Sequence, residues 1–301
     1  MKSQKIVPNL WFDRQAQEAV DFYTALFPKS EIGKITHYGK EGFEIHGMPE
    51  GSVLTVDFEL EGCRFLALNG GPAFAFNPSV SFFVVCETAE EVEALWRQLV
   101  AWGQELMPLD QYPWSQRYGW LIDRFGLSWQ ISLDKKEGVG QKITPLLFFT
   151  GSQRGRAREA HDFYPEVFPH SSSDGMALYE PGEPGPEGMV KHAQFRLGGQ
   201  TFMVMDSGVD NDFPFTEAVS MIVHCQSQEE VDYYWEKLQS GGGQEQQCGW
   251  LKDRFGVSWQ IVPEHLDALL NKSDKECSER VMKAMLQMTK LDIAALQRAA
   301  L

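Results

Sequence analysis

The chain has 301 residues, with 27 Lys plus Arg against 42 Asp plus Glu and a formal net charge of −15. At roughly 150 residues per domain the length suggests two domains, and 43% hydrophobic content supplies an ordinary core for each. So acidic a chain excludes nucleic-acid binding through clustered cations and disfavours an anionic membrane surface, and it has no apolar run of membrane-spanning length. In chain order, residues 6–12 read as a short apolar strand. Residues 15–26 read as a helix, with Ala16, Ala19, Val20, Tyr23 and Phe27 at helical spacing and Pro28 as its stop. Strands are expected near 32–38, 52–60 and 63–69, the last two joined by a tight Glu61-Gly62 turn. The order then restarts with a strand at 79–86, an amphipathic helix at 88–101 capped by Gly103, and strands near 104–109, 116–122 and 127–133. The start, MKSQKIVPNLWFD, lacks the apolar stretch of a signal peptide, and the five Cys form no CxxC pair. Free thiols in a reducing cytoplasm are the expectation.

The chain repeats itself. GWLIDRFGLSWQI at 119–131 and GWLKDRFGVSWQI at 249–261 agree at eleven of thirteen positions. DFYTALFPKS at 21–30 matches DFYPEVFPHS at 162–171, and VSFFVVCETAEEVEALW at 80–96 matches VSMIVHCQSQEEVDYYW at 219–235. A tandem duplication follows, with units at 1–135 and 136–264 and a polar linker, DKKEGVGQK, across 134–142. Each unit contains the order βαβββ twice, so the fold class is α+β with mixed, mainly antiparallel sheets. Residues 265–301 belong to neither repeat. Val281, Ala284, Met285, Met288 and Leu291 predict an amphipathic helix with a Met-rich face. Packing on the preceding domain is the expected role, and a partner or dimer contact the alternative.

Four βαβββ modules resemble the vicinal oxygen chelate superfamily, the glyoxalase / bleomycin-resistance / dioxygenase fold. The wording is closest to its PhnB-like subgroup, labelled "3-demethylubiquinone-9 3-methyltransferase". The pieces that carry this are Pro8-x-Leu10-Trp11-Phe12, Glu18-Ala19-x-x-Phe22-Tyr23, Phe27-Pro28-x-Ser30, Glu229-Glu230-Val231-Asp232-x-x-Trp235 and Cys248-Gly249-Trp250-Leu251-x-Asp253-x-Phe255-Gly256-x-Ser258-Trp259-Gln260. The resemblance implies two tandem domains, each with two modules forming a U-shaped sheet around a cleft, helices outside, plus the C-terminal helix. It also implies metal-ligand positions on the cleft face. In the first repeat these fall at Asn9, Leu66, Val80 or Ser81, and Gln130; in the second, at Leu146, Met203, Val219 or Ser220, and Gln260. None is His, Asp or Glu, and the neutral donors that remain are weak ligands. No metal and no cofactor is therefore expected.

Strand parity puts Asn9, Trp11, Ser128 and Gln130 on one side of the sheet. If Gln130 faces the cleft, the cleft of the first repeat is lined by Asn9, Trp11, Leu66, Ser81 and Gln130. That of the second is lined by Leu146, Phe148, Met203, Ser220, Ser258, Gln260 and His192. Such an apolar pocket with a few amide donors suits a small, partly apolar ligand, although Gln and Ser on a sheet also serve as plain hydrogen-bonding residues. The alternatives are a metal-dependent glyoxalase- or dioxygenase-type enzyme with atypical ligands, and a structural pseudo-dimer with no ligand. Methyl transfer is not expected, because the chain has no βαβαβ order with a Gly-rich loop after its first strand. Asp123-Arg124 and Asp253-Arg254 read as turn and salt-bridge residues, and Asp206, Asp210 and Asp212 as a solvated loop. A monomer is preferred over a homodimer, since a fused duplicate can mimic the dimer of single-unit relatives.

Overall fold

The computed structural model describes residues 4–271 and 274–301. The first module contains β1 (Ile6–Phe12), α1 (Ala16–Leu26), β2 (Ser30–His37), a short α2 (Phe43–His46), β3 (Val53–Leu60) and β4 (Cys63–Asn69). The second contains β5 (Val80–Cys86), α3 (Ala89–Leu99), β6 (Gln104–Tyr112), β7 (Ser115–Ile122) and β8 (Ser128–Leu133). After the short α4 (Lys136–Val139), the third module has β9 (Ile143–Phe149), α5 (Ala157–Val167), β10 (Ser172–Leu178), β11 (Val190–Leu197) and β12 (Gln200–Asp206). The fourth has β13 (Val219–Cys225), α6 (Gln228–Gln239), β14 (Gln244–Glu245), β15 (Trp250–Lys252) and β16 (Ser258–Pro263), and α7 (Leu266–Leu270), α8 (Lys275–Leu286) and α9 (Ile293–Ala299) follow. Among the described residues no helix is long and apolar enough to cross a membrane.

The strands form two open, mixed sheets of eight strands each. Sheet I runs β14-β15-β16-β13-β1-β4-β3-β2, and sheet II runs β10-β11-β12-β9-β5-β8-β7-β6. Each sheet therefore takes one module from each repeat. Sequence reasoning put the two modules of one repeat around one cleft; the structure pairs the first module with the fourth and the second with the third. The seams are β1 against β13 (Asn9 opposite Ser220) and β5 against β9 (Ser81 opposite Leu146), both antiparallel. They satisfy strand edges that a single repeat would leave open.

The reason lies in the core. Within the first repeat the two modules meet through their helix-side faces, with Phe65 of β4 against Phe82 of β5 (rings 5.2 Å apart) and Tyr23 of α1 against Trp129 of β8 (5.4 Å). Modules packed face to face cannot also lie edge to edge. The second repeat does the same, with Tyr164 of α5 and Trp259 of β16 at 5.6 Å. A buried carboxylate locks each arrangement. Asp123 accepts the Tyr23 hydroxyl (2.7 Å), the Trp129 indole N–H (2.9 Å) and the backbone N–H groups of Phe125 and Leu127. Asp253 repeats this with Tyr164, Trp259, Phe255 and Val257. These aspartates are turn residues, as read, but they are not ion-paired through their turns; the neighbouring Arg124 and Arg254 reach Glu18 and Glu159 instead.

Two ion pairs cross between repeats reciprocally: Lys5 with Glu230 at 2.7 Å, and Lys142 with Glu91. Both glutamates also complete the N-terminal caps of their helices, taking the backbone N–H of Gln226 and Glu87 respectively. The expected helix through Leu291 ends at Leu286. Beyond it, the carbonyls of Met288 and Thr289 accept the backbone N–H groups of Cys248 and Gly249, both at 2.7 Å, so this stretch serves the β14–β15 turn.

Candidate functional site

Each sheet has one face packed on the module helices α1, α3, α5 and α6 and one free of them, and parity assigns Asn9, Ser220, Ser258 and Gln260 to the free face of sheet I. The registers place Lys252, Ser258, Ser220, Asn9, Leu66 and Asp57 in one row across six strands. Ser220 Oγ accepts the Asn9 amide at 3.2 Å and the Gln260 amide at 2.9 Å. Asn9 Oδ1 and Ser258 Oγ are buried and have no hydrogen-bond partner. Above the row, Trp11 meets Phe74 at 5.0 Å and Trp250 at 6.0 Å, both edge to face, and its indole N–H donates to the Gly71 carbonyl at 2.8 Å. Between β1 and β15 lie β13 and β16, so the two tryptophans meet over the strands that carry the serines.

Both ends of the row are charged, with Asp57 of β3 paired to Arg64 of β4 at 3.1 Å. Lys252 pairs with Glu217 at 3.0 Å, and Gln246 donates to the same carboxylate at 2.7 Å. Burial pushes the Glu217 carboxyl up, but these two hydrogen bonds outweigh it and hold it below the usual range. His224, two residues beyond Ile222 on the same face, is pushed down to about 4 by burial, with Arg64 and Lys5 adding to the effect.

Sheet II carries the other half of the expected residues. Its row runs Ile122, Ser128, Ser81, Leu146, Met203 and Gln194. Here most polar groups satisfy one another, the exception being Thr144 on β9, whose buried hydroxyl has no partner. Gln130 donates to Ser81 Oγ at 2.9 Å and accepts the Tyr118 hydroxyl at 2.8 Å, while Trp120 donates to Ser128 Oγ at 2.8 Å. Trp120 and Phe148 meet edge to face at 5.2 Å. Val85, Val139, Leu146, Phe148 and Met203 form a buried apolar cluster, with Phe83, Trp120, Met205 and Phe213 packed on it. His192 lies on this face, beside Gln194 on β11, and burial lowers its pKa. The structure thus divides the expected linings: Asn9, Trp11 and Leu66 join Ser220, Ser258 and Gln260, whereas Ser81 and Gln130 join Leu146, Phe148, Met203 and His192. The physical cause is the seam between repeats.

The superfamily's metal positions become Asn9, Leu66, Ser220 and Gln260 on sheet I, and Ser81, Gln130, Leu146 and Met203 on sheet II. Neither set supplies an anion or an imidazole, and the polar members bond to one another. Among the described residues no three His, Cys, Asp or Glu side chains lie close enough to hold a metal ion. The residues present do not fit a divalent metal.

Several features were missed in the sequence. Trp250 and Trp120 belong to the repeated Gly-Trp-Leu block, which marks the duplication and, through Trp250, the family resemblance, but neither is among the expected lining residues. Glu217 and Lys252 correspond to Pro78 and Ile122 in the first repeat, so comparing the repeats position by position exposes them. Asp206 is no solvated loop residue: it is buried at the end of β12 and accepts the backbone N–H groups of Gly155, Ala157 and Val190. One further group has the connectivity of a nucleophile, base and acid: Ser173 Oγ is 3.0 Å from His161 Nε2, and His161 Nδ1 is 2.9 Å from Asp162. The first repeat has Ile32, Val20 and Asp21 there. His161 is buried against Phe195, Asp162 is exposed, and of the two hollows on the outer surface around α5 and α6 neither is lined by Ser173 or His161. The trio is a buried histidine with both nitrogens satisfied.

The family model described as 3-demethylubiquinone-9 3-methyltransferase matches residues 4–132 and again 141–262. The chain belongs to this family. It is 41% identical to a putative 3-demethylubiquinone-9 3-methyltransferase, the PhnB protein from Bacillus cereus, over 44% of this chain and all of that one (TM-score 0.40). That relative is one repeat long. Glyoxalase I from Zea mays is similar over 84% of this chain and 89% of its own at 10% identity (TM-score 0.51). A putative dioxygenase from Bacillus subtilis is similar over 100% of this chain and 98% of its own at 11% identity (TM-score 0.50). At such identities these two show the fold alone, which is that of the vicinal oxygen chelate superfamily in tandem form. No curated protein matches.

Proposed function

We propose that this chain binds a small, partly apolar molecule on the free face of sheet I, without a resident divalent metal. One observation carries the reading. Asn9 Oδ1 and Ser258 Oγ are buried without partners on either side of Ser220, beside the wall formed by Trp11 and Trp250. An unsatisfied buried polar atom costs about 1–3 kcal/mol, and the Asn9 amide oxygen is suited to accept a hydrogen bond from a ligand. Two strand spacings separate these residues, roughly 10 Å, which matches a single-ring molecule with polar groups at both ends. The aromatic wall supplies the apolar contact.

The family description names a methyltransferase, but the two sheets have βαβββ order and no Gly-rich phosphate or nucleoside loop follows β1. In this reading the chain does not bind S-adenosylmethionine, acts as a monomer in a reducing cytoplasm, and needs no catalytic step. Thermal-shift screening with small aromatic alcohols and amides tests it, alongside elemental analysis of the purified chain. Stabilising compounds should be found, and Asn9→Leu should abolish their effect while raising the stability of the free protein by about 1 kcal/mol. Stoichiometric zinc, nickel, manganese or iron, or micromolar binding of S-adenosylmethionine by calorimetry, would overturn it.

A further inference from the structure

The C-terminal extension lies over the free face of sheet I. Val262, on the same face of β16 as Ser258 and Gln260, packs into the extension's own cluster of Leu266, Val281, Leu291 and Leu296. Asp267 of α7 bonds Lys34 of β2 at 2.7 Å, near the far edge of the sheet, and its charge reaches both Asp57 of β3 and His224 of β13. Leu286, at the end of α8, sits on Gly42 beside α2, where a Cβ would stand 2.9 Å from its methyl group.

The attachments on the two sides differ. On the β15–β16 side the extension is covalently continuous with β16 and bonded through Met288 and Thr289. There Gln228 of α6 takes the Ile293 N–H at 2.9 Å and donates to the Leu291 carbonyl at 3.2 Å, Lys290 pairs with Asp232 at 2.6 Å, and Ile293 packs on the main core. On the β2–β3 side the ties described are one exposed ion pair and one leucine against a glycine. Exposed pairs contribute little. The apolar cluster joins α7 and α8 to Leu291 and to Leu296 of α9, so it belongs to the firmly held edge, and opening about that edge breaks only the two light contacts on the other.

We propose that α7 and α8 form a roof over the sheet I cleft, hinged along β15 and α6 and latched at Lys34–Asp267 and Leu286–Gly42, which admits the ligand of this one cleft. This rests on the small-molecule reading for the ligand, but the motion is testable without one. Hydrogen–deuterium exchange on the full chain should show α7 and α8 exchanging faster than α9 and far faster than β1 and β13. Lys34→Glu, which places a like charge beside Asp267, should speed exchange in α7 and α8 about tenfold and leave α9 and sheet II unchanged. Leu286→Ala should do the same from the other latch contact. Exchange in α8 unchanged in both variants, or α7–α9 exchanging only with global unfolding, overturns the roof. If the roof opens as described but no screened compound stabilises the chain, the small-molecule reading fails and the hinge stands. If compounds bind with rates unaffected by Lys34→Glu, the site stands and the roof's role in admission fails.

Discussion

The two free faces occupy equivalent places in the fold and are filled differently. On sheet II, leucine and methionine stand where sheet I has asparagine and leucine, aromatic rings fill the middle, and Gln130, Tyr118, Trp120 and the two serines satisfy one another. On sheet I the corresponding network stops short. Its second serine has no donor, its asparagine oxygen has no partner, and a half-buried ion pair stands at its rim. Sheet II closes its serine–glutamine network and leaves only the Thr144 hydroxyl open, whereas sheet I leaves two groups open within that network itself. The cover differs too, since Val139 of α4 and Phe213 pack in the apolar cluster of sheet II, while the α7–α8 side of the extension packs on Val262 of sheet I.

The largest effect that separates the two faces is cavity formation. Phe148→Ala should cost about 3–5 kcal/mol in urea unfolding because its ring is buried in the sheet II cluster. Trp11→Ala, at the half-buried equivalent position, should cost about half that and remove small-molecule stabilisation; equal costs would mean that sheet I is core as well. A smaller effect comes from His224. Its folded-state pKa, about 4, lies below the unfolded value near 6.5, so the unfolded chain takes up the proton first. Stability should be full above pH 6.5 and fall by about 2 kcal/mol toward pH 4, after discounting for partial exposure. His192 of sheet II shifts in the same direction. His224→Gln should flatten most of the slope, and an unchanged slope would assign it to other groups. The smallest effect concerns the serines. Ser128→Ala should cost about 1 kcal/mol through loss of the Trp120 hydrogen bond, whereas Ser258→Ala should be neutral or slightly stabilising. Equal costs would show that Ser258 has a partner in solution.

Much of the architecture was legible. The repeated blocks mark the modules, and alternation correctly keeps Asn9 with Trp11 and Ser258 with Gln260 within their strands, but it groups Asn9 with Gln130, whereas the structure joins Asn9 to Ser220 and Gln260. The partnership between modules was not legible. A loop of about ten residues between β4 and β5 allows edge-to-edge or face-to-face packing alike. The choice is made by contacts distant in sequence, such as Tyr23 with Asp123 and Phe65 with Phe82. The tail misled for a related reason: Met288 and Leu291 keep helical spacing, but the turn at Cys248 and Gly249 recruits the backbone there. Glu217 and Lys252 carried a readable signal, being charged where the other repeat is apolar, yet neither lies on a position that the family pattern marks.

The seam between β1 and β13 has a consequence for how such a chain can change. Two identical single-repeat subunits joined at the same seams would be bound by symmetry: every substitution would be written into both sheets at once. Here the polar stretch at 134–142 joins the copies, so each position exists once per sheet and the two free faces can drift apart. The tether also holds the halves at an effective concentration of order millimolar, so that drift need not conserve an interface strong enough to assemble from dilute subunits. Asn9 opposite Ser220, with Ser81 opposite Leu146 across the other seam, is what that freedom looks like once used.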